Sequence, residues 1–131
     1  MYRILVADDD VLQLDLRKQL LEIAGYQVEI AFSVAQTRRQ LRRAGIDWAI
    51  DLVILDLRFP NAEGEADARE GMALIREMRE QGCRVPMIVL SGWPDDLYGQ
   101  PEEQLVSRIL TKPVKTRELL YAIRDLLAGA T

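Results

Sequence analysis

The chain has 131 residues, 49% of them hydrophobic, which suits one domain with one core. Its 17 basic and 21 acidic residues leave a net charge of −4, so the bulk attraction for phosphate backbones expected of a nucleic-acid-binding domain is missing. It contains no histidine and a single cysteine, Cys83, which excludes Ser-His-Asp and Cys-His catalysis, His-containing metal sites and an internal disulfide.

The lone cysteine fits a reducing, cytoplasmic setting. No apolar run approaches the roughly 20 residues that cross a bilayer, and the acidic start "MYRILVADDD" does not read as a signal peptide. The first strand is expected over Tyr2 to Ala7. A helix over Val11 to Ala24 follows, with Val11, Leu12, Leu16, Leu20 and Ile23 as its apolar positions and Gly25 as its stop. "YQVEIA" alternates and reads as a second strand. "SVAQTRRQLRRAG" reads as a second helix, with Ser33 as N-cap and Gly45 as stop. "LVIL" is the third strand, and "GMALIREMREQG" a third helix ending at Gly82. "VPMIVL" and "RILT" are the fourth and fifth strands. Thr116 to Ala128 forms the last helix, with Leu119, Leu120, Ile123, Leu126 and Leu127 on one side and Glu118 in its first turn.

Strands alternating with helices predict right-handed crossovers and a parallel sheet. "LVIL" and "MIVL" are apolar throughout, as strands covered on both faces must be. In such folds sites form beyond the carboxyl ends of the strands. Asp8, Asp9 and Asp10 follow the first strand, Asp56 ends the third, Ser91 the fourth and Lys112 the fifth. Acids crowded along one sheet edge repel unless a cation lies among them, and an all-oxygen set suits Mg²⁺. With a lysine and a hydroxyl beside them, these are the parts of a phosphoryl-transfer site.

At this point "ILVADDD", "VILDLRFP", "VLSG" and "TKP", in order at successive strand ends, make the chain resemble the response-regulator receiver domain of two-component signalling. The resemblance spans essentially residues 1–131, read as one receiver domain. It implies a flavodoxin-like, doubly wound sheet of five parallel strands in the order 2-1-3-4-5 with helices on both faces. It also implies Asp56 as phosphoacceptor, Mg²⁺ held by Asp8, Asp9, Asp56 and the backbone carbonyl of Arg58, and Ser91 and Lys112 on the phosphoryl oxygens. Pro113 would follow a cis peptide. The implied partners are a histidine kinase or phosphotransfer protein and a protein output target, with no direct nucleic-acid or membrane contact and a homodimer possible. Catalysis would extend only to the domain's own phosphorylation and dephosphorylation.

The alternative is a phosphorylation-independent interaction module on the same flavodoxin-like fold. A haloacid-dehalogenase-like phosphatase would carry a second aspartate at position 58, where this chain has Arg58, and three aspartates after the first strand would repel a flavin phosphate. The sequence also departs from the family pattern. Gly71 reads as the glycine just before the third helix, which makes Asn61 to Glu70 an acidic insertion beside the site, read as a solvated loop, with a lid or kinase-selectivity element as the functional alternative. Pro94, Gly99 and Pro101 break the fourth helix, leaving a loop to about Gln100 and a short helix over Pro101 to Val106. Ile109 replaces the usual aromatic residue. Trp93, two residues after Ser91, is expected to report the switch, and Trp48 to stay silent. Arg38, Arg39, Arg42 and Arg43 read as a solvated face of the second helix.

Overall fold

The structure is a computed structural model that describes residues 1–44 and 50–129; Gly45 and Trp48 lie outside them. The described strands are β1 (Arg3–Ala7), β2 (Gln27–Ala31), β3 (Leu52–Asp56), β4 (Phe59–Pro60), β5 (Ala66–Asp67), β6 (Met87–Ser91) and β7 (Arg108–Thr111). The helices are α1 (Val11–Ile23), α2 (Val34–Ala44), α3 (Arg69–Glu80) and α4 (Thr116–Gly129). The main sheet is parallel in the order β2-β1-β3-β6-β7. That is the expected doubly wound, flavodoxin-like order once the small β4–β5 hairpin is set aside.

The central strands β3 and β6 are apolar up to their last residue because both faces are covered, and the alternation of side chains divides the core in two. Leu5, Ala7, Val53 and Leu55 face Leu74, Ile75 and Met78 of α3, with Val34 and Leu41 of α2 packed alongside. Ile4, Val6, Leu52 and Ile54 face Leu14 and Leu21 of α1 and Leu119, Ile123 and Leu127 of α4. Each strand therefore delivers its last residue to the same edge, between the two helical layers.

Four expectations need correction. In α1 the buried leucines are Leu14 and Leu21, whereas Val11, Leu12, Leu16 and Ile23 are exposed. Apolar residues lie all round this helix, so their spacing alone does not select its inner face. The stretch after the third strand is a built hairpin rather than a plain loop. Phe59 pairs with Asp67 and Pro60 with Ala66. Asn61 Oδ1 accepts the amides of Glu63 and Glu65, each at 3.0 Å, and Gly64 turns the chain at φ 80°. The third helix begins at Arg69, two residues before Gly71. Finally, the stretch from Gly92 to Gln100 is not wholly a loop, because Pro94–Asp96 forms a 3₁₀ turn.

The fourth helix of the family pattern is replaced by that turn and a second one over Pro101–Leu105. Both open on proline, which the sequence suggests for Pro101 alone. The second turn is strapped to α3 by two arginines one helical turn apart. Arg76 pairs with the largely buried Glu102 at 3.4 Å, and Arg79 donates to the carbonyl of Leu105 at 2.9 Å.

Candidate functional site

Asp8 and Asp9 leave the end of β1, Asp56 ends β3, Ser91 ends β6 and Lys112 follows β7. One carboxylate oxygen from each of Asp8, Asp9 and Asp56 lies within 4.8 Å of the other two. Asp10 does not join this cluster; its carboxylate accepts from the amide of Gln13 at 3.2 Å and caps α1. Lys112 Nζ reaches between the acids, 3.3 Å from Asp8 Oδ2 and 3.4 Å from Asp56 Oδ1. The Lys112–Pro113 peptide is cis.

The electrostatics are those of acids held together with too little positive charge. Burial, with the charge of Asp8 added to it, pushes the Asp56 carboxyl up to about 7 even though Lys112 pulls the other way. Asp8 is buried too, but the amide of Asp10 and the charge of Lys112 outweigh burial and hold its carboxyl below the ordinary value. Burial and the neighbouring Asp8 raise that of the more exposed Asp9. Three carboxylates offering hard oxygen atoms on one side of a strand edge fit a divalent cation such as Mg²⁺, which takes oxygen ligands and keeps several waters.

Ser91 is buried, and its Oγ accepts the Trp93 amide at 2.9 Å. The Trp93 ring is half exposed and lies under the Arg58 guanidinium, 3.9 Å from ring centre to charge. Arg58 also makes a two-pronged pair with Asp96, at 2.7 and 3.1 Å. A single chain of contacts thus runs from Ser91 through Trp93 and Arg58 to Asp96 in the first 3₁₀ turn. Sequence reasoning singled out Arg58 and Trp93 separately but did not join them, because the join depends on the broken fourth helix.

A second cation was also missed. Arg17 Nη1 of α1 lies 3.3 Å from Asp8 Oδ2. The signal available was its position, three residues after Leu14 and four before Leu21, on the side of α1 that proves to be buried. On α2, Arg38 is taken up by Glu77 of α3 at 2.8 and 3.1 Å, whereas Arg39 and Arg42 are exposed. Beside Asp9, the β4–β5 hairpin and the start of α2 border an open cleft lined by Phe32, Arg38, Phe59 and Glu70.

A family model for the response regulator receiver domain matches residues 4–124. The uncharacterized transcriptional regulatory protein YbdJ of Bacillus subtilis is 30% identical over 126 residues, which cover 96% of this chain and 51% of YbdJ. The aerobic respiration control protein ArcA of Escherichia coli K12 is 30% identical over 128 residues, covering 95% and 48%. The chain spans about half the length of these curated relatives. Among solved structures, a response regulator receiver domain protein from Clostridium thermocellum superposes with a TM-score of 0.83 at 28% identity, covering 99% of this chain and 97% of that one. TrrA of Thermotoga maritima, solved with Mg²⁺ and BeF, gives 0.77 at 23% identity, covering 96% and 99%.

Proposed function

The chain belongs to the response regulator receiver domain family, and from that premise we propose that it is a phosphoacceptor switch. It takes a phosphoryl group from a phosphohistidine on a partner kinase or phosphotransfer protein onto Asp56. The observation that carries this reading is the convergence of Asp8, Asp9 and Lys112 on the Asp56 carboxylate at the end of a buried strand. Asp8, Asp9, Asp56 and the backbone carbonyl of Arg58 would hold Mg²⁺, which would supply positive charge to the oxygens of the incoming group.

The chain's own residues do the rest. An Asp56 oxygen forms a bond to phosphorus as the bond to the donor nitrogen breaks, and the donor imidazole keeps that electron pair. Lys112, already 3.4 Å from Asp56, needs only a small movement to pair with a phosphoryl oxygen. Ser91 can turn its hydroxyl hydrogen toward another. Controlling an output partner then requires that this movement reach the surface.

The test is incubation with acetyl phosphate and Mg²⁺ followed by intact mass. Wild type is expected to gain one phosphoryl group that is lost in base. Asp56→Asn, and wild type in EDTA, are expected to gain none. A wild type that stays unmodified would favour the phosphorylation-independent interaction module.

The Ser91–Trp93 contact gives a second expected outcome. When Ser91 turns toward a phosphoryl oxygen, the oxygen that accepts the Trp93 amide turns with it. Mg²⁺ with beryllofluoride, a phosphoryl mimic, should therefore change Trp93 emission in a Trp48→Phe background, and Trp93→Ala should lose its phosphate faster than wild type. Unchanged emission with the mimic bound would place the moving part elsewhere.

A further inference from the structure

Asp8 is held from three directions. Its Oδ1 accepts the Asp10 amide at 3.0 Å, and its Oδ2 lies 3.3 Å from both Lys112 Nζ and Arg17 Nη1. Arg17 belongs to the inner side of α1, and its side chain is only 11% exposed. Arg17 borders a small, mostly apolar groove with Leu20, Val114 and Leu119. An apolar residue would pack there at no electrostatic cost, whereas a guanidinium carried through that layer has to be desolvated. Its headgroup spends that charge on one carboxylate of the candidate metal site.

Formal charge shows what the arrangement favours. Without metal, Asp8, Asp9 and Asp56 face two cations, Lys112 and Arg17, leaving one negative charge in excess. A bound divalent ion alone turns that into one positive charge in excess. Adding a phosphoryl group replaces the single charge of Asp56 by two and brings the site to balance. Without Arg17, balance would instead fall one charge earlier, at the state with metal and no phosphoryl group.

We infer that Arg17 is a positioning residue that biases the site toward its phosphorylated state. It competes with Mg²⁺ for Asp8 in the unphosphorylated protein. It then keeps Asp8 paired when Lys112 leaves for the phosphoryl group. The inference rests on the function proposed above, and its test separates the two.

Mg²⁺ alone is titrated calorimetrically into unphosphorylated wild type, Arg17→Met, Arg17→Lys and Lys18→Met. Beryllofluoride is then titrated at saturating Mg²⁺. Methionine keeps the unbranched stem and the helix propensity. Arg17→Met is expected to bind Mg²⁺ roughly 5-fold more tightly and beryllofluoride roughly 5-fold more weakly, from the loss of one nearby charge. Arg17→Lys, which keeps that charge, should stay within about twofold of wild type in both titrations. Lys18→Met removes a charge from the neighbouring position, where it pairs with Glu22 at 3.3 Å, and should leave both affinities unchanged. Wild-type affinities in Arg17→Met, or equal shifts in Lys18→Met, would overturn the role of Arg17 while leaving the metal site standing. A wild type that binds no Mg²⁺ would overturn both.

Discussion

In metal-free buffer at pH 8, Asp56→Asn is expected to melt above the wild type. Burial foremost, then the charge of Asp8, raises the Asp56 carboxyl to about 7 against the pull of Lys112. A folded-state pKa above the unfolded value means that the folded chain binds that proton more tightly. The stabilisation is full below the ordinary carboxylate range and is lost as pH rises through about 7. Asp8 has the opposite sign. Its carboxyl is lowered, so its contribution is present above the ordinary range and is lost only as pH falls through its own lowered value. Between the ordinary range and pH 7, Asp56 is therefore the member of this pair whose protonation changes. An amide has the shape of the carboxyl group and no charge, so the variant escapes the cost at pH 8. The gain should be on the order of 2 kcal/mol, several degrees in Tm for a chain of this size. At pH 5, where wild-type Asp56 is largely protonated, the gap should close. Thermal melts in EDTA at the two pH values decide the matter. Equal melting at pH 8 would mean that Lys112 and Arg17 already offset the buried charge in full.

That expectation depends on one residue legible in the sequence and one that was not. Asp56 stood out because four apolar residues run into it, and a parallel sheet brings the end of β3 beside those of β1 and β6 whatever the side-chain detail. Lys112, Ser91, Asp8 and Asp9 were legible for the same reason. Arg17 was not, because nine residues separate it from Asp8 and only the docking of α1 brings them together. With leucines all round that helix, the spacing suggested a face running through Leu12, Leu16 and Ile23, which the structure leaves in water. The loss of the fourth helix could be foreseen from Pro94, Gly99 and Pro101, since each breaks the backbone locally. What replaced it could not, because the pairing of Arg58 with Trp93 and Asp96 joins two loops 35 and more residues apart. The β4–β5 hairpin escaped notice for a different reason. Proline, alanine and aspartate are poor strand formers, and the turn is held by the side chain of Asn61 rather than by any strand pattern.

Gly71 ties the fold to the site more directly than any charged residue does. It is buried in the first turns of α3, and a Cβ built there would overlap the carbonyl oxygen of Leu57 and lie 3.1 Å from its carbonyl carbon. Both neighbours are main chain, so no flexible side chain can swing away, and either α3 or the strand end must move. Leu57 is itself fully buried and stands between Asp56 and Arg58. The segment that would be pushed is thus the one that carries the candidate nucleophile and the candidate carbonyl ligand. Gly71→Ala is therefore expected to cost stability on the order of 3 kcal/mol despite the better helix propensity of alanine. It should also weaken Mg²⁺ binding in whatever fraction stays folded. Gly64→Ala provides the contrast. It strains a positive φ in the hairpin turn, but a Cβ there meets nothing within 4 Å, so it should cost only about 1 kcal/mol and leave Mg²⁺ affinity at the wild-type value. Urea denaturation measures the first effect, and calorimetric titration at a temperature where both variants are folded measures the second. A Gly71→Ala protein as stable as wild type would show that α3 can slide away from Leu57 freely. The close approach would then be an accident of packing rather than the contact that sets the position of Asp56.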